Sequence, residues 1–209
     1  MTLELGVLVS GNGSNLQAIL DAIASGALDA RVRLVISNKP GVKALERAAR
    51  ADVPSRCISH TEYASRAAFD QALLEALRES AVQWVVLAGF MRVLTPEFIA
   101  AFPRRIVNIH PSLLPAFPGV AAQRQALEYG VKVSGCTVHL VDTGVDTGPV
   151  LAQRAVPVLD TDDEASLSER IHVAEHALLV EVLQAIALGH VSVSERPPGQ
   201  RPRVGVRQG

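Results

Sequence analysis

The sequence has few aromatic residues, few cysteines and almost no net charge. Phe, Trp and Tyr make up 4% of the 209 residues, which argues against a stacking surface for single-stranded nucleic acid. The formal net charge is -1, so no strong field draws the chain to nucleic acid or to an anionic membrane. Cys57 and Cys136 are far apart and form no CxxC pair, which disfavours a disulfide framework or a zinc knuckle and favours a reducing compartment.

Long apolar runs are also missing. No run reaches the length of about 18 residues that a transmembrane helix needs. Residues 1–10 are apolar, but they include Glu4, lack a basic region and lead into a glycine turn, which predicts a first strand rather than a signal peptide. We therefore expect a cytoplasmic globular protein without a membrane or nucleic-acid partner.

Short apolar runs alternate with longer alanine- and leucine-rich stretches. Strands are predicted at 5–9, 31–37, 55–58, 84–87 and 105–109, and helices at 14–24, 42–51, 64–79 and 96–101. Strands at 134–141 and 150–158 and a long helix at 166–188 follow. This order predicts an α/β fold, with a mostly parallel twisted sheet, helices on both faces, an antiparallel extension and a long C-terminal helix.

A glycine turn joins the first strand to the first helix. Its glycines permit close backbone approach, the helix N-terminus offers free N–H groups, and Ser14 and Asn15 add donors after Gly13, which predicts a phosphate cradle. Leu16 stands at the third glycine position of a dinucleotide motif, and no GK[ST] sequence follows. The alternative is an ordinary capped strand-to-helix turn.

The fifth predicted strand ends in polar residues. Asn108 and His110 alternate with Ile109, so they point to the same side. Polar side chains at the end of a central strand indicate ligand binding, because such strands are otherwise apolar. Their N–H groups suit the oxyanion of acyl transfer, and a protonated His110 suits proton delivery. The alternative is a buried pair whose members satisfy only each other.

A glycine-rich loop at 142–148 supplies two candidate partners for His110. Either Asp142 or Asp146 could approach the imidazole and raise its pKa from about 6.5. Spacing does not choose between them. The alternative is a solvated hairpin loop.

Four motifs together resemble one enzyme family. They are SGNGSNLQAI (10–19), VLAGFMRVL (86–94), NIHPSLLPAFPG (108–119) and DTGPVL (146–151). In this order and spacing they resemble the folate-dependent phosphoribosylglycinamide formyltransferases, from the first strand to about Leu188. The resemblance implies transfer of a formyl group from 10-formyltetrahydrofolate to the amine of 5-phosphoribosylglycinamide in de novo purine (IMP) biosynthesis, without a metal.

The resemblance also implies residue roles. Asn108 and His110 would be catalytic, with Asp146 as the carboxylate that raises the pKa of His110. The other implied sites are Gly13, Ser14 and Asn15 for the substrate phosphate, Glu175 for the substrate amine side, and Arg66, Met91, Arg92, Val93, Leu94 and Asn108 for the folate.

The chain departs from the family pattern at two positions. Gln123 stands where the family often has histidine, and His172 where it commonly has Gln or Lys, which affects the expected ribose-phosphate contacts. His172 and His176 also match an HxxEH zinc pattern, but Glu181 and Glu195 are the only later acidic side chains, so we do not expect a metal. The remaining histidines, His60, His139 and His190, are interpreted as structural or solvated.

The resemblance implies one domain and a tail. Residues 1–195 are expected to form a formyltransferase domain, with a phosphate-binding half at about 1–103 and a folate-binding and catalytic half at about 104–195. Residues 196–209 contain three prolines and three glycines and are expected to run loosely over the surface. The expected state is a monomer or homodimer.

Other functions share parts of this pattern. NIHPSLLP alone also permits a methionyl-tRNA formyltransferase, although the net charge and the expected absence of a basic C-terminal domain disfavour it. A 10-formyltetrahydrofolate hydrolase would be expected to carry an additional N-terminal domain. A third alternative is a non-catalytic nucleotide-binding module.

Overall fold

The computed structural model describes residues 2–194 and 203–206. Within this part of the chain, a seven-stranded sheet has the order β3-β2-β1-β4-β5-β6-β7. Its strands are β1 (Leu3–Val9), β2 (Ala30–Ser37), β3 (Ser55–Cys57), β4 (Trp84–Leu87), β5 (Ile106–His110), β6 (Val133–Leu140) and β7 (Val150–Pro157). The helices are α1 (Ser14–Ala24), α2 (Lys43–Arg50), α3 (Arg66–Glu79), α4 (Pro96–Ala101), α5 (Ala122–Tyr129) and α6 (Glu164–Ala187), with a short 3-10 helix at His60–Glu62.

The sheet confirms the predicted fold class. Strands β1 to β5 are parallel, and β6 and β7 add an antiparallel extension. One hydrophobic cluster joins a face of the sheet to α1 and α6, and a second joins the opposite face to α3 and α4. The central strands are apolar on both faces for this reason.

The strand order reverses at β1, which has β2 on one side and β4 on the other. The connection after β1 therefore runs to one side of the sheet and the connection that leads to β4 runs to the other. A crevice opens between them at the carboxyl ends of β1 and β4. The glycine turn follows β1, the loop 88–95 follows β4, and the polar end of β5 lies beside them. Topology alone thus brings three predicted motifs to one edge of the sheet.

Two features of the middle of the chain differ from the prediction. Helix α5 was not predicted, because it begins after Ala121 in a left-handed conformation (φ 55°) rather than after a capping Ser, Thr, Asp or Asn. Strand β5 extends one residue further than predicted and includes His110. The strand's hydrogen bonds therefore fix the backbone of His110.

The C-terminal segment also differs from the prediction. Strand β8 (Val191–Ser194) pairs antiparallel with β9 (Arg203–Val206), so the prediction of a loose tail is wrong for residues 203–206. Val191, Val193 and Val204 pack against the first hydrophobic cluster, and burial of these apolar side chains stabilises the hairpin. Residues 196–202 and 207–209 of the predicted tail lie outside the described residues. Among the helices of the described part, none has the length and apolarity to cross a membrane.

Candidate active site

A cavity of about 570 Å³ opens at the carboxyl ends of β1, β4 and β5. Its wall combines the glycine turn, the loop after β4, the end of β5, the β6–β7 loop and two residues of α6. The predicted catalytic and phosphate-binding residues all line it, namely Asn108, His110, Asp146, Gly13, Ser14 and Asn15. The structure therefore brings these two groups of residues together.

His110 and Asp146 are in contact in the wall of the cavity. Nδ1 of His110 lies 3.3 Å from Oδ2 of Asp146, and both side chains are buried. Nε2 of His110 donates to the Phe117 carbonyl at 2.8 Å, because a carbonyl can only accept. The Gly119 N–H donates to Oδ2 of Asp146 at 2.8 Å. A backbone donor thus holds the carboxylate beside the imidazole.

Asp142 is held within its own loop. Its Oδ1 accepts hydrogen bonds from Thr147 Oγ1 at 2.6 Å and from the Gly144 N–H at 3.1 Å. Asp146, in contrast, has a left-handed backbone conformation (φ 54°), so the loop turns at this residue. Spacing left both aspartates open as partners of His110, and the structure places Asp146 there.

His139 is a neighbour of the predicted catalytic residues that sequence reasoning missed. Its Nδ1 donates to the Leu140 carbonyl at 2.9 Å, so Nε2 of the neutral ring is an acceptor. Nε2 accepts a hydrogen bond from Nδ2 of Asn108 at 3.0 Å and lies 3.5 Å from Oδ1 of Asp146. The signal lies in strand pairing, which sets His139 opposite Asn108.

Asn108 contacts both His139 and Asp146 through the same amide nitrogen. Its Nδ2 donates to Oδ1 of Asp146 at 3.4 Å, which is long for a hydrogen bond. The stronger bond to His139 orients the amide. The weaker one can be given up to another oxygen, so Asn108 has one N–H available for an oxyanion.

Burial has the largest effect on the pKa of His110. Burial lowers the pKa of His110 from 6.5, while the Phe117 carbonyl and Asp146 oppose this change and His139 adds to it. Asp146 raises this pKa as expected, but desolvation of the imidazolium outweighs its attraction to the carboxylate, so the net shift is downward. In its neutral form the ring carries its proton on Nε2, which donates to Phe117, and leaves Nδ1 as a basic nitrogen.

Asp146 remains ionised beside it. Burial raises the pKa of Asp146, but the proximity of His139 and His110 and the hydrogen bond from the Gly119 N–H lower it by more, so the pKa lies below its usual 3.8. The site therefore pairs a carboxylate whose charged form is favoured with an imidazole whose charged form burial disfavours.

The glycine turn is shaped by Gly13 and Arg47. Gly13 has φ 72°, and a Cβ there would lie 2.6 Å from the Cβ of Ala44, so only glycine fits. Arg47 donates to the carbonyl and side-chain oxygens of Asn12 at 2.9 and 3.1 Å. Among the described residues no side chain caps α1, which leaves its first N–H groups available to an anion.

Glu175 faces the glycine turn from α6. It is buried, and its Oε2 accepts a hydrogen bond from Nδ2 of Asn15 at 3.3 Å. Burial raises the pKa of Glu175 to about 7, partly offset by the Asn15 bond. Oδ1 of Asn15 is buried and has no partner within the described residues, so it can accept a hydrogen bond from a ligand.

The loop after β4 forms the apolar side of the cavity. Met91 and Val93 are 66% and 48% exposed, while Leu94 is buried, and these three residues line the cavity together with Arg92. Arg66 is the exposed first residue of α3 and is not part of the wall that residues 2–194 form. With Asn108, the structure thus brings five of the six predicted folate residues to the cavity and leaves Arg66 outside it.

The two positions that depart from the family pattern both line the cavity, Gln123 from α5 and His172 from α6. His172 and His176 stack with ring centroids 6.3 Å apart, while Glu175 points to Asn15. Residues 2–194 and 203–206 contain no group of three His, Cys, Asp or Glu side chains that could hold a metal ion.

Comparison with known proteins identifies the family. The sequence profile described as "Formyl transferase" matches residues 4–183. The chain belongs to the formyl transferase family. This match confirms the resemblance that the four motifs indicated.

Individual relatives support the same assignment. The phosphoribosylglycinamide formyltransferase of Mycobacterium tuberculosis (strain H37Rv) is 50% identical over 193 residues, which are 92% of this chain and 89% of that protein. The trifunctional purine biosynthetic protein adenosine-3 of Drosophila melanogaster is 51% identical over 199 residues, or 94% of this chain. This chain spans 15% of the length of that relative.

A solved structure matches nearly the whole chain. The crystal structure of glycinamide ribonucleotide transformylase 1 from Symbiobacterium toebii superposes with a TM-score of 0.94 at 48% identity, covering 99% of this chain and 95% of that one. The chain therefore has the fold of this formyl transferase.

The pKa of His110 can be measured in this formyl transferase. We expect the NMR titration of His110 to have its midpoint below 6.5, and the Asp146→Asn variant to lower it further, because the carboxylate raises this pKa. The Asp142→Asn variant is the control, since Asp142 is bonded within its own loop, and it should leave the midpoint unchanged. A midpoint above 6.5 in the unaltered protein would contradict the balance described above.

Proposed function

We propose that this chain transfers the formyl group of 10-formyltetrahydrofolate to the amine of 5-phosphoribosylglycinamide, a step of de novo purine (IMP) biosynthesis. The observation that carries the proposal is the shared cavity. Asn108, His110 and Asp146 stand in the same cavity as a glycine turn suited to phosphate. The relatives named above support the choice of substrates.

The first task of such a site is to stabilise the tetrahedral intermediate. The amine attacks the formyl carbon, and the carbonyl oxygen becomes negatively charged. Asn108 can donate to this oxygen by giving up its 3.4 Å contact with Asp146. Each such donor contributes about 10²- to 10³-fold to the rate.

The second task is to move a proton. The attacking nitrogen becomes positive and must lose a proton, while the leaving nitrogen of the folate must gain one. Nδ1 of neutral His110 is a suitable acceptor, and Asp146 at 3.3 Å stabilises the imidazolium that forms. Return of the proton to the leaving nitrogen gives the formamide and tetrahydrofolate and restores His110.

The ends of the cavity suit the two substrates. We propose that Gly13, Ser14 and Asn15 bind the phosphate and that Glu175 binds the sugar-phosphate substrate near its amine. The folate is proposed to lie against the apolar loop of Met91, Arg92, Val93 and Leu94 with its formyl group near Asn108, and Arg66 remains a predicted contact for its outer part.

A steady-state assay with two alternative acceptors tests the function. We expect turnover of 10-formyltetrahydrofolate, followed by folate absorbance, with 5-phosphoribosylglycinamide but not with initiator methionyl-tRNA. The net charge of -1 gives little electrostatic attraction to tRNA. Turnover with the tRNA alone would support the alternative formyl transferase, and hydrolysis that is independent of either acceptor would contradict a transferase.

A further inference from the structure

The loop from Gly89 to Leu94 has no regular secondary structure, although it forms one side of the cavity. Phe90 and Leu94 are buried at its two ends, while Met91 and Val93 are exposed between them. Because a sheet ladder or helix does not set its path, contacts from other parts of the chain must hold it.

Two side chains accept backbone hydrogen bonds near the ends of this loop. Oγ of Ser10 accepts from the Met91 N–H at 2.8 Å. Oδ2 of Asp70 accepts from the Thr95 N–H at 2.6 Å. Ser10 lines the cavity itself, whereas Asp70 lies on α3 behind the loop and is 2% exposed.

We propose that Asp70 is a positioning residue that acts on the folate co-substrate through the Gly89–Leu94 loop. This inference rests on the proposed function, because it assumes that the folate lies against the loop. Asp70 would set the affinity for the folate without touching it and without taking part in the transfer.

The strength of the Asp70 contact supports this role. A carboxylate that accepts a backbone N–H at 2.6 Å forms a charge-assisted hydrogen bond, which is stronger than a neutral one. Burial raises the pKa of Asp70, while the bonds from Thr95 and the charges of Arg66 and Arg92 oppose this change. The contact with Thr95 thus helps to keep a buried carboxyl group ionised.

Thr95 connects this bond to the helix that follows. Its Oγ1 caps α4 by accepting the Phe98 N–H at 3.3 Å. Asp70 therefore holds Thr95, which follows the loop and caps α4. Loss of this acceptor would free Leu94 and the preceding loop from α3, while the glycine turn and the Asn108–His110 strand keep their own contacts.

Kinetics of two Asp70 variants, measured with both substrates, test the proposal. Asp70→Ala removes the acceptor, and we expect KM for 10-formyltetrahydrofolate to rise about tenfold, with kcat and KM for 5-phosphoribosylglycinamide nearly unchanged. Asp70→Asn keeps an oxygen that can accept from Thr95, so its folate KM should stay within about threefold of the original value.

Leu74→Ala is the matched control. Leu74 is a buried residue of the same helix and packs in the second hydrophobic cluster, so its truncation destabilises α3 without removing a bond to the loop. We expect this variant to have a lower Tm and an unchanged folate KM. If Asp70→Ala behaves in the same way, its role is structural only and the proposal fails.

Other outcomes would also overturn the proposal. An equal rise of both KM values would mean a general loosening of the site, and a fall of kcat alone would mean a role in the reaction. If Asp70→Asn raises the folate KM as much as Asp70→Ala does, the change in KM comes from the lost charge of Asp70 and not from its hydrogen bond to Thr95.

Failure of the proposed function would look different. If the unaltered protein has no formyl transfer activity with 5-phosphoribosylglycinamide, the function is wrong whatever Asp70 does. Calorimetric binding of tetrahydrofolate to the unaltered protein and the variants then tests the loop separately. If Asp70→Ala leaves the affinity for tetrahydrofolate unchanged, Asp70 does not position the loop for the folate.

Discussion

Replacement of His110 by Ala is expected to lower kcat for formyl transfer by about 10³-fold, the middle of the range for a side chain that transfers a proton. The variant removes the basic Nδ1 that lies 3.3 Å from Asp146. KM values for both substrates should change much less, because the glycine turn and the apolar loop are formed by other residues. Steady-state kinetics with both substrates measure this difference.

His190→Ala is the control for this experiment. His190 follows α6 and does not belong to the cavity wall within the described residues, so its replacement should leave kcat unchanged. Calorimetry with tetrahydrofolate would show whether His110→Ala still binds the folate. A variant that retains kcat within about tenfold would refute the proposed proton transfer, and one that no longer binds folate would make His110 a binding residue instead.

Replacement of Glu175 by Gln is expected to stabilise the protein at pH 8. Folding raises the pKa of Glu175 from 4.5 to about 7, so the folded state binds its proton more tightly than the unfolded state. The free energy of unfolding is therefore highest, as far as this group is concerned, below pH 4.5. It falls as the pH rises to about 7, by roughly 3 kcal/mol in total.

The glutamine variant lacks this titration. It can still accept the Asn15 hydrogen bond, and it avoids the burial of a charge, so at pH 8 we expect up to about 3 kcal/mol of added stability. For a chain of this length that corresponds to a Tm increase of several degrees, at roughly 2–4 °C per kcal/mol. At pH 4.5 the two proteins should differ little.

Urea denaturation at pH 4.5 and pH 8 measures the effect. Glu169→Gln, at an exposed position on the same helix, is the control. It should leave the free energy of unfolding unchanged at both pH values. A glutamine variant that is no more stable at pH 8 would show that the Glu175 carboxylate is not desolvated. We also expect weaker binding of 5-phosphoribosylglycinamide by Glu175→Gln, since we propose that this carboxylate contacts the substrate.

Much of the fold could be predicted because its signals are local. The strand Trp84–Leu87 and the helix Pro96–Ala101 lie at the predicted positions, since an apolar run and a Thr-Pro-Glu start are readable over a few residues. Helix α5 has no such start, because Ala121 adopts a left-handed conformation instead of a capping one. The β8–β9 hairpin depends on packing of its valines against the core.

In the candidate site, too, the features that depend on neighbouring residues could be predicted, and those that depend on strand pairing could not. Alternation along one strand predicted that Asn108 and His110 share a side, and the resemblance implied Asp146 as their partner. His139 was missed because its position opposite Asn108 follows from the pairing of β5 with β6, which no local pattern reveals. Arg66 was expected at the folate, and it lies outside the cavity wall that the described residues form.

The sequence by itself determined the order of strands and helices, the glycine turn and the polar end of the fifth strand, since each depends on residues that are close along the chain. The tertiary structure decided which aspartate faces His110, which histidine orients Asn108 and in which direction the pKa of His110 moves. These properties depend on contacts between distant segments and on the water that packing excludes. Burial in particular outweighs the effect of Asp146, which by itself raises the pKa of His110.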